Sequence, residues 1–518
     1  MHLTQGLERA VQQHPHRVAT ICGTRQQSFA ELRERVARIA AVLKVQGFGS
    51  GDRVAVLSLN SDHFLEAYLA IAWAGAVVVP VNFRWTAVEI AFSLNDAACG
   101  AILVDQAHVA VARELKELCP GLVSCLIMGD ETAPEGFLTL EALVTEAKPL
   151  DGPGHVGSEL LGIFYTGGTT GRSKGVMLTH ANLCSSGLSM LSEGVFEEGC
   201  VALHVAPMFH LADMLMTTCV IIRGGTHVFL PAFSPDAVLD LVADHKVTDT
   251  LVVPAMLQAL VDFPGRYDRD AASLHNILYG ASPAPESLLR RALEAFPKAR
   301  LTQGYGMTES AALIGVLPWQ QHLNAPGQPN RLRAAGRSTF DVLVRIVDAN
   351  NNEVPRGEVG EIVARGPNVM QGYLNLPEES AKALQDGWLH TGDLAWMDDE
   401  GYFFIVDRAK DMIISGGENI YSSEVENAIA SHPAVAMNAV IGVPHEHMGE
   451  AVHAVVVLRP GGALSLDELQ SHCRKSISGY KLPRSLELRD ALPMSGAGKV
   501  LKTELRQPYW SGHDRAVS

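Results

Sequence analysis

Short apolar strands that alternate with helical segments are the feature of this sequence that most restricts its fold. A β-branched run (Val54 to Leu59) precedes a helical stretch near Ser61 and a second apolar run (Ala76 to Val81). A strand, a helix and a second strand in this order are typical of parallel sheet. Further runs of the same kind are ACGAILVD, VSCLIMG, ELLGIFYT, THVFLP, VTDTLVVP, LHNILYG and ARLTQGYG. The sequence therefore predicts an α/β protein with extensive parallel sheet.

The second half of the chain has a different pattern. From about residue 335 to 400, closely spaced strands, an Asn-rich turn and several Gly leave little room for helices, which predicts an antiparallel sheet or a small β-barrel. Beyond Asp407, mixed helices and strands indicate a separate α+β domain. We therefore expect a large domain at 1–407, with the barrel-like subdomain inside it, and a smaller domain at 408–518.

Charge and cysteine content restrict the partners and the compartment. Forty-one Lys and Arg against 57 Asp and Glu give a net charge of −16, and an acidic surface repels nucleic acid. Eight Cys without a CxxC pair favour a reducing, cytoplasmic environment. The apolar stretch between Glu66 and Arg84 is shorter than the ~20 residues of a membrane span, and the charged N-terminus differs from a secretory signal. We expect no nucleic acid partner and no integral membrane segment.

A Gly-rich loop follows the apolar strand ELLGIF. Glycine allows close approach of the backbone, so successive N–H groups can surround an anion, and hydroxyl and cationic side chains add donors. Such a loop suits the phosphates of a nucleotide, and a flexible turn is the alternative. It differs from the P-loop pattern GxxxxGK[ST], because Lys174 is followed by Gly175. The loop residues are Thr166, Gly167, Gly168, Thr169, Thr170, Gly171, Arg172, Ser173 and Lys174.

Six other motifs point to the same resemblance as this loop. They are PMFHLAD from Pro207, YGASP from Tyr279, QGYGMTE from Gln303, TGD from Thr391, VDRAKDMIISGGENI from Val406 and PMSGAGKVLK from Pro493. The ordered set resembles the superfamily of acyl-CoA synthetases, adenylation domains of peptide synthetases and beetle luciferases, and the resemblance extends over essentially the whole chain. It implies a mobile C-terminal domain with its hinge at Lys410.

The resemblance also implies a two-step reaction. A carboxylic acid attacks the α-phosphate of MgATP to give acyl-AMP and pyrophosphate, and a thiol then displaces AMP. ATP, Mg²⁺ and CoA are the implied cofactor and co-substrates. SGGENI is more similar to CoA ligases than to adenylation domains, and no carrier-protein segment follows Lys499. A ligase that loads a carrier protein, a luciferase-like oxygenase and a non-catalytic nucleotide-binding regulator are the alternatives.

Individual roles follow from the resemblance. Lys499 is the implied catalytic lysine, which neutralises charge between carboxylate and α-phosphate, and Glu309 is the implied Mg²⁺ ligand. Tyr305 would stack on adenine, while Asp393 and Arg408 would contact ribose or phosphate. The remaining implied nucleotide contacts, besides the phosphate loop, are Gly280, Ala281, Ser282, Gly306, Met307 and Thr308.

The acid and CoA sites are also implied by resemblance. The acid pocket residues would be Phe209, His210, Met214, Met256, Tyr279, Gly304 and Ala312, which suits an apolar aryl or medium- to long-chain acid. His210 either gates the carboxylate or packs, and Asp213 either faces a polar substrate group or caps the helix near Leu211. Implied CoA contacts are Gly416 and Gly417, with Arg84, Lys481 and Arg484 as phosphate-binding cations. A homodimer is the expected assembly.

Overall fold

The protein is described by a computed structural model that covers residues 1–129, 131–152, 159–166, 173–323, 330–494 and 499–510. Within these residues, the strands form three sheets. The largest sheet has 14 strands, and its centre is parallel from Val18–Cys22 to Arg300–Tyr305. In spatial order its strands are Leu343–Val347, Gly360–Arg365, Trp388–Met397, Tyr402–Arg408, Gly336–Ser338, Gly315–Leu317, Arg300–Tyr305, Asn276–Gly280, Asp249–Val252, Val201–His204, Thr226–Phe229, Val18–Cys22 and Arg25–Ser28, with Leu384–Gln385 beside Trp388–Met397.

The second sheet has eight strands and a parallel centre. Val54 and Val56 face one apolar core, whereas Ala55 and Leu57 face another. Both faces are therefore buried, which explains the uninterrupted apolar runs in the sequence. The strands, in spatial order, are Gly372–Tyr373, Lys174–Thr179, Leu160–Thr166, Val77–Pro80, Arg53–Leu57, Ala101–Val104, Ser124–Ile127 and Leu138–Thr139.

The third sheet contains only residues that follow Arg408. Its strands are Glu418–Ile420, Ile413–Ser415, Gly449–Leu458 and Val435–His445, with Ser485–Leu488 parallel to Gly449–Leu458. Helices Ser422–Ala430 and Leu466–Cys473 share its apolar core. The order of sheets along the chain is compatible with the predicted boundary at residues 407 and 408, which remains a prediction.

The predicted antiparallel region is present as strands between Gly336 and Arg408. These strands do not stand apart from the parallel sheet. Gly315–Leu317 pairs with Arg300–Tyr305 on one side and with Gly336–Ser338 on the other, both antiparallel. The antiparallel region is therefore a continuation of the large sheet, and it brings the end of Tyr402–Arg408 close to the end of Arg300–Tyr305.

Helices cover both parallel sheets. Several begin with reciprocal capping boxes, such as Ser28 with Glu31 and Thr86 with Glu89. The α-helices are Gln5–Gln13, Phe29–Val45, Asp62–Trp73, Ala87–Asp96, Val109–Leu118, Leu140–Glu146, His180–Ser192, Leu211–Arg223, Pro235–His245, Pro254–Asp262, Glu286–Ala295, Pro377–Ala383, Ser422–Ala430, Leu466–Cys473 and Lys502–Trp510. Short 3₁₀ helices lie at Gln106–His108, Pro264–Asp268, Thr308–Ser310, Trp319–His322 and Gly479–Lys481.

The long apolar stretch of the sequence forms a buried helix, Asp62–Trp73, followed by the strand Val77–Pro80. This is the arrangement that the sequence predicts. Among the residues described, none of the helices combines the length and the apolar composition that crossing a bilayer requires.

Candidate functional site

Three polar side chains of the large sheet meet where two of its strands, Arg300–Tyr305 and Tyr402–Arg408, end. Asp393 lies opposite Arg408 in the pairing of Trp388–Met397 with Tyr402–Arg408. The Arg408 guanidinium contacts Asp393 Oδ1 at 3.1 Å, and the Tyr305 hydroxyl donates to Asp393 Oδ2 at 2.8 Å. Both oxygens of this carboxylate are thus engaged, and its residue is only 7% exposed. The arrangement combines a fixed anion, a cation and an aromatic ring, which are groups that a nucleoside phosphate could use.

Close backbone packing shapes the neighbouring turns. A Cβ atom on Gly280 would lie 2.3 Å from the carbonyl oxygen of Gly304, and one on Gly306 would lie 2.2 Å from that of Ala312. Ala281 and Ala312 have positive φ values of 65° and 74°, which residues other than glycine rarely adopt. Such backbone strain often occurs at functional sites, so these alanines add an independent indication of function here.

Glu309 accepts two hydrogen bonds, one at its side chain and one at its backbone carbonyl. It lies in the 3₁₀ helix Thr308–Ser310 and is 7% exposed. The Tyr373 hydroxyl donates to its Oε1 at 2.7 Å, and the Met370 N–H donates to its backbone carbonyl at 2.8 Å. Thr308 and Met307 beside it are half-buried.

The phosphate loop is described only at its two ends. Thr166 ends the strand Leu160–Thr166 and pairs with Lys174, which begins Lys174–Thr179. The Lys174 ammonium contacts Glu379 at 2.7 Å. The other predicted loop residues lie outside the described residues: Gly167, Gly168, Thr169, Thr170, Gly171 and Arg172.

Lys499 shares an electrostatic environment with the groups above. Burial lowers the pKa of Lys499 to about 8, and Arg408 acts in the same direction, whereas Asp393 and Glu309 oppose the shift. The Lys499 ammonium therefore interacts electrostatically with both the Asp393 and the Glu309 carboxylates. Burial likewise lowers the pKa of Lys410, the predicted hinge residue, to about 8.

The predicted acid-pocket residues fall into two groups. Phe209 and Met214 belong to one buried core, which Ala312 also contacts, and the Phe209 ring lies 4.2 Å from that of His210. Tyr279 lies in another core, against which Met256 packs. This core covers one face of the strand Asn276–Gly280, and Leu278 lies in the core on the other face. The Tyr279 hydroxyl bonds to His322 Nε2 at 2.8 Å. The predicted pocket residues thus contact two different cores, and the pocket that they would share remains a prediction.

Gly304 faces side chains that the sequence reasoning mostly missed. A Cβ atom there would lie 3.6 Å from Met190 Cε and 3.8 Å from Leu313 Cδ1. Met190 and Met216, from two adjacent helices, belong to the same buried cluster as Leu313. The side chains on this side of Gly304 are therefore apolar.

Asp213 has a role that neither sequence interpretation described. Its residue is fully buried, and Oδ2 bonds to His204 Nδ1 at 2.8 Å. His204 Nε2 in turn bonds to His227 Nδ1 at 2.9 Å. Asp213 caps no helix but closes the loop that carries Phe209 and His210. The side-chain amide of Asn60 also supports this loop, through the Ala206 carbonyl and the Met208 N–H.

Four of the predicted CoA residues lie in the C-terminal part of the chain, whereas Arg84 lies between the strand Val77–Pro80 and the helix Ala87–Asp96. Gly416 and Gly417 form the two-residue turn between Ile413–Ser415 and Glu418–Ile420, with φ of 61° and 85°. Both residues of this turn need positive φ, which is a sufficient structural reason for glycine. The Lys481 ammonium is paired with Glu424 at 2.7 Å, whereas Arg484 is exposed.

Comparison with known proteins identifies the family. A model described as AMP-binding enzyme matches residues 7–374, and another described as AMP-binding enzyme C-terminal domain matches residues 424–499. The chain belongs to the AMP-binding enzyme family. The predicted superfamily of adenylate-forming enzymes, with its α/β fold, is thereby confirmed.

Three relatives of this AMP-binding enzyme cover nearly its whole length. It is 40% identical over 502 residues to a feruloyl-CoA synthase of Amycolatopsis sp, which is 97% of this chain and 98% of the relative. It is 35% identical over 523 residues to the fatty acid–[acyl-carrier-protein] ligase ScoC of Streptomyces coeruleorubidus, at 100% and 98% coverage. The crystal structure of ATP-bound MatB from Rhodopseudomonas palustris superposes with a TM-score of 0.88 at 30% identity, covering 99% of this chain and 100% of that one.

The donor set of this AMP-binding enzyme suits a magnesium ion that is shared with a substrate. In the described part of the chain, no group of three or more His, Cys, Asp or Glu side chains could hold a metal ion. Magnesium in nucleotide sites commonly uses one or two carboxylates together with substrate phosphates. The buried Glu309 carboxylate fits that pattern.

Proposed function

We propose that this enzyme is an ATP-dependent carboxylic acid:CoA ligase, which forms an acyl-adenylate and then an acyl-CoA thioester. The observation that carries the proposal is the common electrostatic environment of Lys499, Glu309, Asp393 and Arg408. A protein that only binds a nucleotide has no need for a half-buried lysine that interacts electrostatically with two carboxylates and an arginine. Family membership and the CoA ligases among the relatives support the same activity.

In the first step, a carboxylate oxygen of the acid attacks the α-phosphorus of ATP, the bond to the β-phosphate oxygen breaks, and pyrophosphate leaves. Asp393 and Arg408 would hold the ribose and phosphate, and the Tyr305 ring would contact adenine. The Lys499 ammonium would neutralise the charge that develops between the carboxylate and the α-phosphate. Glu309 would hold the magnesium ion, whose positive charge favours departure of pyrophosphate.

In the second step, the thiol sulfur of CoA attacks the acyl carbon, and AMP leaves while the thiol proton is released. Gly416 and Gly417 lie on a hairpin that would face the active site once the C-terminal domain has rotated about Lys410. Rotation would replace the Lys499 loop by this hairpin. Lys481 and Arg484 are the proposed cations for the CoA phosphates. Lys481 would leave its ion pair with Glu424 to bind a phosphate.

The proposed acid has an apolar tail. Met190, Met216 and Leu313 offer a buried hydrophobic wall near Gly304, and thioether side chains adapt to differently shaped ligands. The tails of aryl and medium- to long-chain alkyl acids are complementary to these apolar side chains. His210 follows Phe209 at the start of the helix Leu211–Arg223, where it would guide the carboxylate.

The enzyme is proposed to act in the cytoplasm. All eight cysteines are free thiols, and seven of them are buried, which supports a reducing compartment. A homodimer is expected from related ligases, and light scattering after size-exclusion chromatography would measure the assembly directly.

The activity is tested by incubating the enzyme with MgATP, CoA and a panel of aryl, short-, medium- and long-chain acids, and detecting products by mass spectrometry. The proposal predicts one dominant class of acyl-CoA together with AMP. Lys499→Ala should abolish formation from the free acid but retain thioester formation from a supplied acyl-adenylate. Acyl-AMP without thioester would indicate a carrier-protein acceptor, and absence of both products would favour a nucleotide-binding regulator.

A further inference from the structure

One short segment joins the phosphate-loop strand to the loop of Glu309. Residues 368–374, which we name the bridging segment, bond to the Glu309 loop at one end and to the Lys174–Thr179 strand at the other. The Asn368 amide donates to the carbonyl of Ser310 at 3.0 Å. The Leu374 N–H donates to the carbonyl of Gly175 at 2.8 Å. The bridging segment therefore fixes these two parts of the site relative to each other.

Tyr373 is the residue of the bridging segment that reaches both charged groups. Its hydroxyl donates to Glu309 Oε1 at 2.7 Å, and the Lys174 ammonium lies 5.0 Å from its ring centroid. The side chain is 9% exposed and packs in the main hydrophobic core. One aromatic side chain thus contacts both the Glu309 carboxylate and the Lys174 ammonium.

We propose that Tyr373 is a positioning residue, which orients the Glu309 carboxylate for the magnesium ion of MgATP and supports the Lys174 ammonium for the phosphates. The inference rests on the proposed function, since it requires that the site binds MgATP. A carboxylate that lacks such a partner can rotate about its terminal torsion, and only some orientations present an oxygen to the metal. A hydrogen bond to one oxygen restricts that rotation and leaves the orientation of the second oxygen defined.

Tyr373→Phe removes the hydroxyl and keeps the ring that packs in the core and against Lys174. Isothermal titration calorimetry of ATP binding over a range of Mg²⁺ concentrations measures the effect without turnover. We expect the Mg²⁺ concentration for half-maximal enhancement of ATP binding to rise about tenfold, because loss of a partner behind a metal ligand commonly costs that much affinity. ATP affinity without Mg²⁺ should change less than about twofold, since the ring is retained.

Tyr509→Phe is the matched control. The Tyr509 hydroxyl also donates to a carboxylate, Glu487 Oε2 at 3.0 Å, but it lies in the C-terminal helix Lys502–Trp510. This variant should leave the Mg²⁺ dependence unchanged. Melting temperatures of both variants separate a loss of stability from a loss of metal binding.

A double-mutant cycle tests whether Tyr373 acts through Glu309. In a Glu309→Gln background, Tyr373→Phe should have no further effect on the Mg²⁺ dependence. An unchanged Mg²⁺ dependence in Tyr373→Phe, an equal change in Tyr509→Phe, or loss of folding in Tyr373→Phe would each overturn the inference. If the wild-type enzyme failed to bind MgATP, the proposed function itself would be contradicted, and the inference with it.

Discussion

The charge of Lys499 leads to a quantitative prediction for the pH dependence of adenylation. Burial lowers the pKa of Lys499 to about 8 in the free enzyme. The ammonium fraction then falls from about 90% at pH 7 to about 10% at pH 9. Because transition-state stabilisation requires the ammonium, kcat/KM for ATP should fall about tenfold over this range. Bound phosphates favour the charged lysine, so the fall in kcat should occur at higher pH.

Exchange of labelled pyrophosphate into ATP measures this step without CoA. Lys499→Arg keeps its charge at pH 9, so a slower enzyme is expected whose kcat/KM no longer falls between pH 7 and pH 9. Lys410, whose pKa burial also lowers to about 8, provides the matched control. Lys410→Arg should retain the fall. If Lys499→Arg still showed the fall, or if Lys410→Arg removed it, the pH dependence would not arise from the charge of Lys499.

Three further predictions concern other buried groups. Asp213→Ala should lower the free energy of unfolding by about 3 kcal/mol, because it leaves His204 Nδ1 without its buried partner, and Asp213→Asn by about 1 kcal/mol, since an amide oxygen still accepts. Urea denaturation would measure both, and equal losses would contradict the hydrogen-bond explanation. Burial lowers the pKa of His322 to about 4. As the pH falls below about 6.5, this histidine is therefore protonated in the unfolded state while it is still neutral in the folded state. Stability should therefore decrease by about 2 kcal/mol between pH 7 and pH 5 on account of this residue, and a His322→Gln variant with the wild-type slope would exclude that contribution. Asp393→Asn should raise the Kd for ATP about tenfold, because it weakens a charge-assisted contact, and fluorescence titration with ATP would reveal an unchanged Kd if Asp393 were only structural.

The parallel sheets could be predicted from the sequence because their strands are buried on both faces. Val54 to Leu57 illustrates the reason, since neighbouring residues enter different cores and every position must be apolar. The continuity of the antiparallel region with the large sheet could not be predicted. It depends on Gly315–Leu317, a strand of three residues whose two partners lie far apart in the sequence.

Site residues that belong to a local motif were accessible to sequence reasoning, whereas partners from distant segments were not. Asp393 and Arg408 stand in recognisable motifs, and the structure joins them. Asp213 was interpreted through its own helix, but its partner His204 lies on a preceding strand, next to the strand of His227. Tyr373 gives no sequence signal for its bond to Glu309, because 64 positions separate the two residues.

The acid pocket remains a prediction for a related reason. Resemblance indicates which positions lie near a pocket, but the face that each side chain occupies depends on strand alternation and on helix packing. Tyr279 and Leu278 are neighbours in sequence and enter different cores. Met190, from the helix His180–Ser192, approaches Gly304 although no motif contains it.

The proposed activity depends on direct attack of the acid's carboxylate on the α-phosphate of ATP. An acid labelled with ¹⁸O in both carboxylate oxygens, incubated with enzyme, MgATP and CoA, tests this step directly. If the carboxylate attacks in this way, each AMP formed carries one ¹⁸O atom and the thioester retains the other. Unlabelled AMP, or label in pyrophosphate or inorganic phosphate, would contradict an acyl-adenylate intermediate.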